Sequence, residues 1–172
     1  MILGLSVHGF TVLHVLISLA GIGTGLIVLA GMLGSKRLSG WTTVFLATTA
    51  LTSVTGFFFP RDRILPSHIV GGISLLVLAI AILALYAFRL EGAWRWIYVV
   101  TSVLALYLNA FVAVVQSFLK LPALTALAPT QSEPPFLVAQ LVVLAGFAVL
   151  GIAAVRSFRP GPAARACMDR RA

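Results

Sequence analysis

Chemistry in this chain is confined to a few polar residues set in long apolar runs: His14, His68, Asn109, Gln116 and Gln140. A neutral imidazole can ligate haem iron or a metal, and it can donate and accept hydrogen bonds. A side-chain amide can orient a ligand through its two donors and its acceptor oxygen. All of these groups are costly in hydrocarbon unless partnered, so each should face protein, water or a ligand. His14 is the one ionisable residue well inside an apolar run, and it is expected to point inward, toward the third or fourth run. His8 lies at the start of the first run and His68 opens the third. Ser102, Asn109 and Gln116 recur every seven residues, with Lys120 four further on, a spacing that keeps them on one helical stripe facing the interior. Gln116, Gln140, Asp62 and Glu133 fall toward the same end as the histidines. His14, His68, Asn109, Gln116 and Gln140 together form the candidate ligand site.

Several chemistries find no support. His8 and His14 are six apart and cannot form the i, i+4 pair of an intrahelical metal site, so no metal site is assigned. A b-type haem would need His14 and His68 opposed at one depth, and this stays open as a haem- or quinone-binding alternative. No catalytic residue is assigned: there is no HExxH, no nucleophile elbow and no pair of carboxylates. No Asp or Glu lies within an apolar run, which argues against proton-coupled pumping but leaves a small permease for a neutral solute open. Gly21, Gly23 and Gly25 follow no strand, so they are neither a P-loop nor a Rossmann turn. Gly21-x-x-x-Gly25 instead allows close helix approach. In the second run, Thr48, Thr52 and Thr55 share a face, and most of its hydroxyls should bond back to their own helix carbonyls.

The elements that must position these groups are plain. Five runs, Phe10–Leu33, Trp41–Phe59, Ile69–Phe88, Trp96–Leu119 and Phe136–Val155, contain no Lys, Arg, Asp or Glu. Crossing a bilayer takes roughly 20 apolar residues in a helix. The chain is 60% hydrophobic and only 9% charged, with mean hydropathy +1.10, far from the roughly 25% charge of soluble domains. The expected fold class is all-α, an integral membrane bundle of five transmembrane helices over residues 1–155, with a basic, disordered cytoplasmic tail over 156–172.

Charge sets the orientation. If all five runs cross, Lys36, Arg37, Arg89, Arg95 and the tail arginines Arg156, Arg159, Arg165, Arg170 and Arg171 share one side, leaving Arg61, Arg63 and Lys120 on the other. Short loops rich in Lys and Arg stay cytoplasmic, which predicts the N-terminus outside and the C-terminus inside. Trp41, Trp94 and Trp96 fall at the cytoplasmic ends as interfacial anchors. The net charge of +8 thus serves topology, and nucleic acid is not an expected partner. The lipid bilayer is the expected partner, with other membrane subunits as further candidates. The start of the chain lacks the basic n-region of a signal peptide and reads as a retained span. The single cysteine, Cys167, allows no internal disulfide.

The connections carry ordinary turn chemistry. Ser67 can cap the third helix. Arg89–Ala93 is a tight turn that makes the third and fourth spans antiparallel neighbours. Leu121, Leu124 and Leu127 mark a segment resting on the outer interface, and Ser132-Glu133-Pro134-Pro135 starts the last helix, with Glu133 facing the positive end of its dipole. The segments Leu65-Pro66-Ser67-His68-Ile69-Val70-Gly71, Phe118-Leu119-Lys120-Leu121-Pro122-Ala123-Leu124 and Ala128-Pro129-Thr130-Gln131-Ser132-Glu133-Pro134-Pro135-Phe136 resemble a group of small uncharacterised bacterial inner-membrane proteins. The resemblance covers most of the chain. It implies a multi-pass protein of the bacterial inner membrane and brings no activity or cofactor. The expected function is that of a membrane accessory or small-ligand-binding protein with a polar site toward the periplasmic face.

Overall fold

The computed structural model describes Ile2, residues 4–59 and residues 66–159, with the side chains of Pro66 and Ser67 excepted. The loop charges Arg61, Asp62 and Arg63, the Ser67 cap, and Cys167 with the tail from Pro160 lie outside the described residues. Those residues form α1 (Val7–Leu33), α2 (Ser39–Gly56), α3 (Pro66–Ile82), α4 (Trp94–Lys120), the short α5 (Pro122–Leu127) and α6 (Pro134–Ser157), with one π-helical turn, Leu83–Ala87, ending α3. Four segments are long and apolar enough to cross a membrane: Val7–Leu33, His68–Ala87, Trp94–Lys120 and Pro134–Ser157. The second run is also helical, but its hydroxyls lower its hydropathy.

Local chemistry explains the boundaries. Ser6 caps α1, its hydroxyl accepting from the Gly9 N–H at 3.0 Å. In α2, Thr43, Thr48, Ser53 and Thr55 donate to the carbonyls of Ser39, Val44, Thr49 and Leu51, so these hydroxyls are satisfied within their own helix. The π-helical turn comes just before the reversal at Arg89 and Leu90, both at positive φ. The Leu90 N–H returns to the Ala84 carbonyl, and Phe88 stacks flat on Trp94 at 3.7 Å. This reversal sets α3 against α4. At the same end, Arg95 Nη1 donates to the Val155 and Phe158 carbonyls and ties α4 to the C-terminus of α6.

Packing is uneven along the bundle. The apolar core gathers Val28, Phe45, Leu78, Leu85, Tyr98, Leu106 and Phe158, all toward the end that carries the basic turns. Its centre is α4, which contacts α1, α2, α3 and α6. By contrast, only 6% of the most apolar stretch of α6 is buried, against 39% for α4. The opposite half of the bundle holds most of the buried polar residues, among them Thr49, Ser53, Ser74, Asn109 and Gln140.

The connection between α4 and α6 folds back on α4. Thr125 donates to the Phe118 carbonyl, Gln131 Nε2 to the Val115 carbonyl, and Phe118 meets the Phe136 ring edge-on. Leu121 and Leu127 are exposed. Glu133 is the N-cap of α6, but its side chain turns back rather than capping. It accepts from the Thr130 N–H and hydroxyl and from the Ser132 N–H. Slight desolvation, which raises the carboxyl pKa, is outweighed by the hydrogen bonds from Thr130, its own backbone and Ser132, which hold it below the ordinary value. A carboxyl whose pKa is lowered on folding lends stability above its unfolded value and loses it as pH falls through the folded one. Hydrogen exchange at Thr130 and Ser132 should therefore speed up as pH drops below about 4.5, relative to intrinsic rates. Glu133→Gln should remove that dependence. A pH-independent protection in the wild type would show that the carboxylate does not hold this turn.

Candidate functional site

The site grows from the seam between α1 and α2. His14 and Gly21 are seven apart on α1 and face α2 at two depths, about 10 Å apart along the axis. At the level nearer the N-terminus of α1, His14 Nδ1 lies 2.8 Å from Thr55 Oγ1. The Thr55 hydroxyl has one proton and places it on the Leu51 carbonyl. It therefore accepts from His14, which fixes the Nδ1–H tautomer and leaves Nε2 with its lone pair. The imidazole also meets the Phe59 ring edge-on, at 5.3 Å between centroids. His14 thus turns to the second helix, not toward the third or fourth as the sequence suggested.

Two turns deeper, three helices meet at Gly21. A Cβ there would stand 3.0 Å from Asn109 Nδ2, 3.2 Å from Thr49 Oγ1 and 3.3 Å from Thr48 Oγ1. The missing side chain is what lets an amide from α4 and two hydroxyls from α2 converge on α1. Asn109 is 8% exposed and Thr49 1%. Neither Asn109 Nδ2 nor Thr49 Oγ1 has a hydrogen-bond partner among the described residues, and the same holds for Thr52 Oγ1, which lies between this level and His14. Most buried polar atoms in folded proteins are paired. Three orphaned groups along one seam make a polar column running from His14 down to Asn109.

The remaining candidate residues make other contacts. Gln140 is buried and donates from Nε2 to the Phe111 carbonyl at 3.3 Å, joining α6 to α4, while its Oε1 is unpaired. Gln116 is exposed. A seven-residue spacing drifts only about 20° per heptad on a straight helix, so Gln116 stays near the Asn109 side of α4, and it is exposed at a position one turn from the helix end at Lys120. His68 is half-buried at the start of α3 with its ring against Phe57, 5.5 Å between centroids. On the neighbouring seam, the Ser53 hydroxyl bonds that of Ser74, linking α2 to α3. Among the described residues, no three His, Cys, Asp or Glu side chains gather at a metal-binding distance.

No family model, curated protein or solved structure matches this chain. Function therefore rests on the side chains themselves. The column carries no formal charge. Its deep end presents amide and hydroxyl N–H and O–H donors with hydroxyl lone pairs beside them, which suits a small neutral group bearing an acceptor oxygen. Thr49, Thr52 and Gly21 were not singled out as site residues from sequence. The signal that could have found them is the threonine repeat facing the Gly21-x-x-x-Gly25 pair.

Proposed function

We propose that this is a multi-pass protein of the bacterial inner membrane that binds a small neutral ligand in the polar column between α1, α2 and α4, reached from the periplasmic side. The orphaned Asn109 amide carries this reading: a buried donor without a partner costs about 1–3 kcal/mol, which an acceptor oxygen on a ligand would offset. The apolar core closes the basic end of the bundle, and the polar groups occupy the other half, so access runs past His14. His14, Thr52, Thr49 and Asn109 are the binding residues of this reading. His68, Gln116 and Gln140 are not among them: His68 packs on Phe57, Gln140 joins α6 to α4, and Gln116 is exposed.

Solvent extraction and mass spectrometry of the detergent-purified protein test the reading. The wild type should release one compound in near-stoichiometric amount. Asn109→Leu should lose it, and Val112→Leu, elsewhere on α4, should keep it. No such compound in the wild type, or equal amounts in Asn109→Leu, would end the proposal.

The orientation is part of the same proposal. Five crossings with the N-terminus outside place Thr130 in the periplasm and Ala172 in the cytoplasm. A reporter active only in the periplasm should be silent when fused after Ala172 and active when inserted near Thr130. Activity at Ala172 would require an even number of crossings or the reverse orientation.

A further inference from the structure

A second feature lies on the far side of α4. Between α4 and α6 runs an open groove of about 390 Å³, apolar except at its two polar residues, Tyr107 and Arg156. Gly151 forms part of its floor. A Cβ there would come within 3.3 Å of Val103 Cγ1, so the glycine lets α6 lean on α4 while Leu144 and Ile152 stay exposed at the rim.

Length and charge identify what fits. From Leu144 to Arg156 the groove follows thirteen residues of α6, twelve steps or about 18 Å at the helical rise. One leaflet contributes about half of the roughly 30 Å hydrocarbon core. A transmembrane helix from another subunit would need a seam along the whole span, and this groove stops near the middle. It opens at the end that carries Lys36, Arg37, Arg89, Arg95, Arg156 and Arg159, where Glu91 is the one acid among the described residues. Arg95 is committed to the carbonyls at the end of α6. Arg156 is exposed, and its guanidinium has no hydrogen bond or ion pair among the described residues. A guanidinium binds phosphate oxygens in a two-pronged fashion, and the cytoplasmic leaflet is rich in anionic lipid.

We infer that the α4–α6 groove holds one acyl chain of an anionic phospholipid, with its phosphate on Arg156. The inference is independent of the ligand column, which lies on the other face of α4 and in the other half of the bundle.

Native mass spectrometry of the full chain in detergent decides it, with phosphatidylglycerol and phosphatidylcholine of identical acyl chains as probes. The wild type should retain phosphatidylglycerol about tenfold better, the scale of one charge-assisted contact, because the choline cation of phosphatidylcholine already neutralises its phosphate. Arg156→Gln should erase that preference. Ala148→Phe fills the groove from an exposed position and should lose both lipids, whereas Ala145→Phe, exposed on α6 outside the groove, should keep them. An undiminished preference in Arg156→Gln, or undiminished binding in Ala148→Phe, would overturn the assignment. So would a wild-type dimer that Ala148→Phe splits without any retained lipid, since a second copy would then be the occupant.

Discussion

Gly25→Leu should be the most damaging single change in the bundle, lowering thermal stability in detergent by several degrees or preventing folding outright. Even a Cβ at this position would meet Leu106 Cδ1 at 2.5 Å and the Phe45 ring at 2.8 and 2.9 Å. Phe45 is 1% exposed and Leu106 1%, so neither has room to withdraw. Overpacking a core of this kind costs about 1–3 kcal/mol and sometimes more. Gly25→Ala should show the lower part of that range, because it adds one methyl where leucine adds four carbons. Gly23 provides the control. A Cβ there meets no atom within 4 Å, so Gly23→Ala should be neutral or should stabilise α1 by up to about 1 kcal/mol through helix propensity. Equal tolerance at the two glycines would mean that α1, α2 and α4 do not meet where the structure places them.

That pair of glycines shows what the sequence could and could not disclose. Gly21-x-x-x-Gly25 announces close helix approach, and α1 does press on α2 and α4 there. The spacing says nothing about what stands opposite. Gly25 faces Phe45 and Leu106, while Gly21, one turn away, faces an amide and two hydroxyls. The first glycine therefore belongs to the apolar core and the second to the polar column. Hydropathy exposed the long apolar runs because crossing lipid requires them. The fourth run's polar stripe was legible as far as Asn109 and failed at Gln116, because spacing fixes a residue's side of its helix but not how far along the helix its neighbours cover that side. The rotation of His14 toward Thr55 was not legible either. It depends on which neighbour lies beside α1, and periodicity within one helix carries no information about neighbours. The tie from Arg95 to the end of α6 was hidden for a different reason: in sequence the residue reads as a topology-setting charge, and only the fold brings the Val155 and Phe158 carbonyls to it.

Asn109→Leu should change stability in opposite directions depending on whether the column is occupied, and that sign is the sharpest probe of the site. Leucine shares the branched four-atom skeleton of asparagine, so the substitution exchanges polar atoms for apolar ones at the same positions, with some added bulk from the methyls. In protein stripped of small molecules by prolonged detergent washing, the Asn109 amide is a buried donor without a partner. Removing such a group relieves about 1–3 kcal/mol, so the stripped variant should unfold at a higher temperature than the stripped wild type. In freshly purified protein the order should reverse. A ligand that binds only the folded state adds stability that grows with its concentration over its Kd, reaching about 2.7 kcal/mol at a hundredfold excess, and the leucine variant forfeits this. Gly21→Ala should behave similarly by a different route. Its Cβ would stand 3.0 Å from Asn109 Nδ2 and 3.2 Å from Thr49 Oγ1, so both polar groups must shift by a few tenths of an ångström, still unpaired, while the added methyl blocks the ligand. It should therefore lose the ligand-dependent stability without gaining the relief seen for leucine. If Asn109→Leu destabilised the stripped protein as much as the fresh one, the amide would be held by a partner within the fold, and the column would be structural glue rather than a binding site.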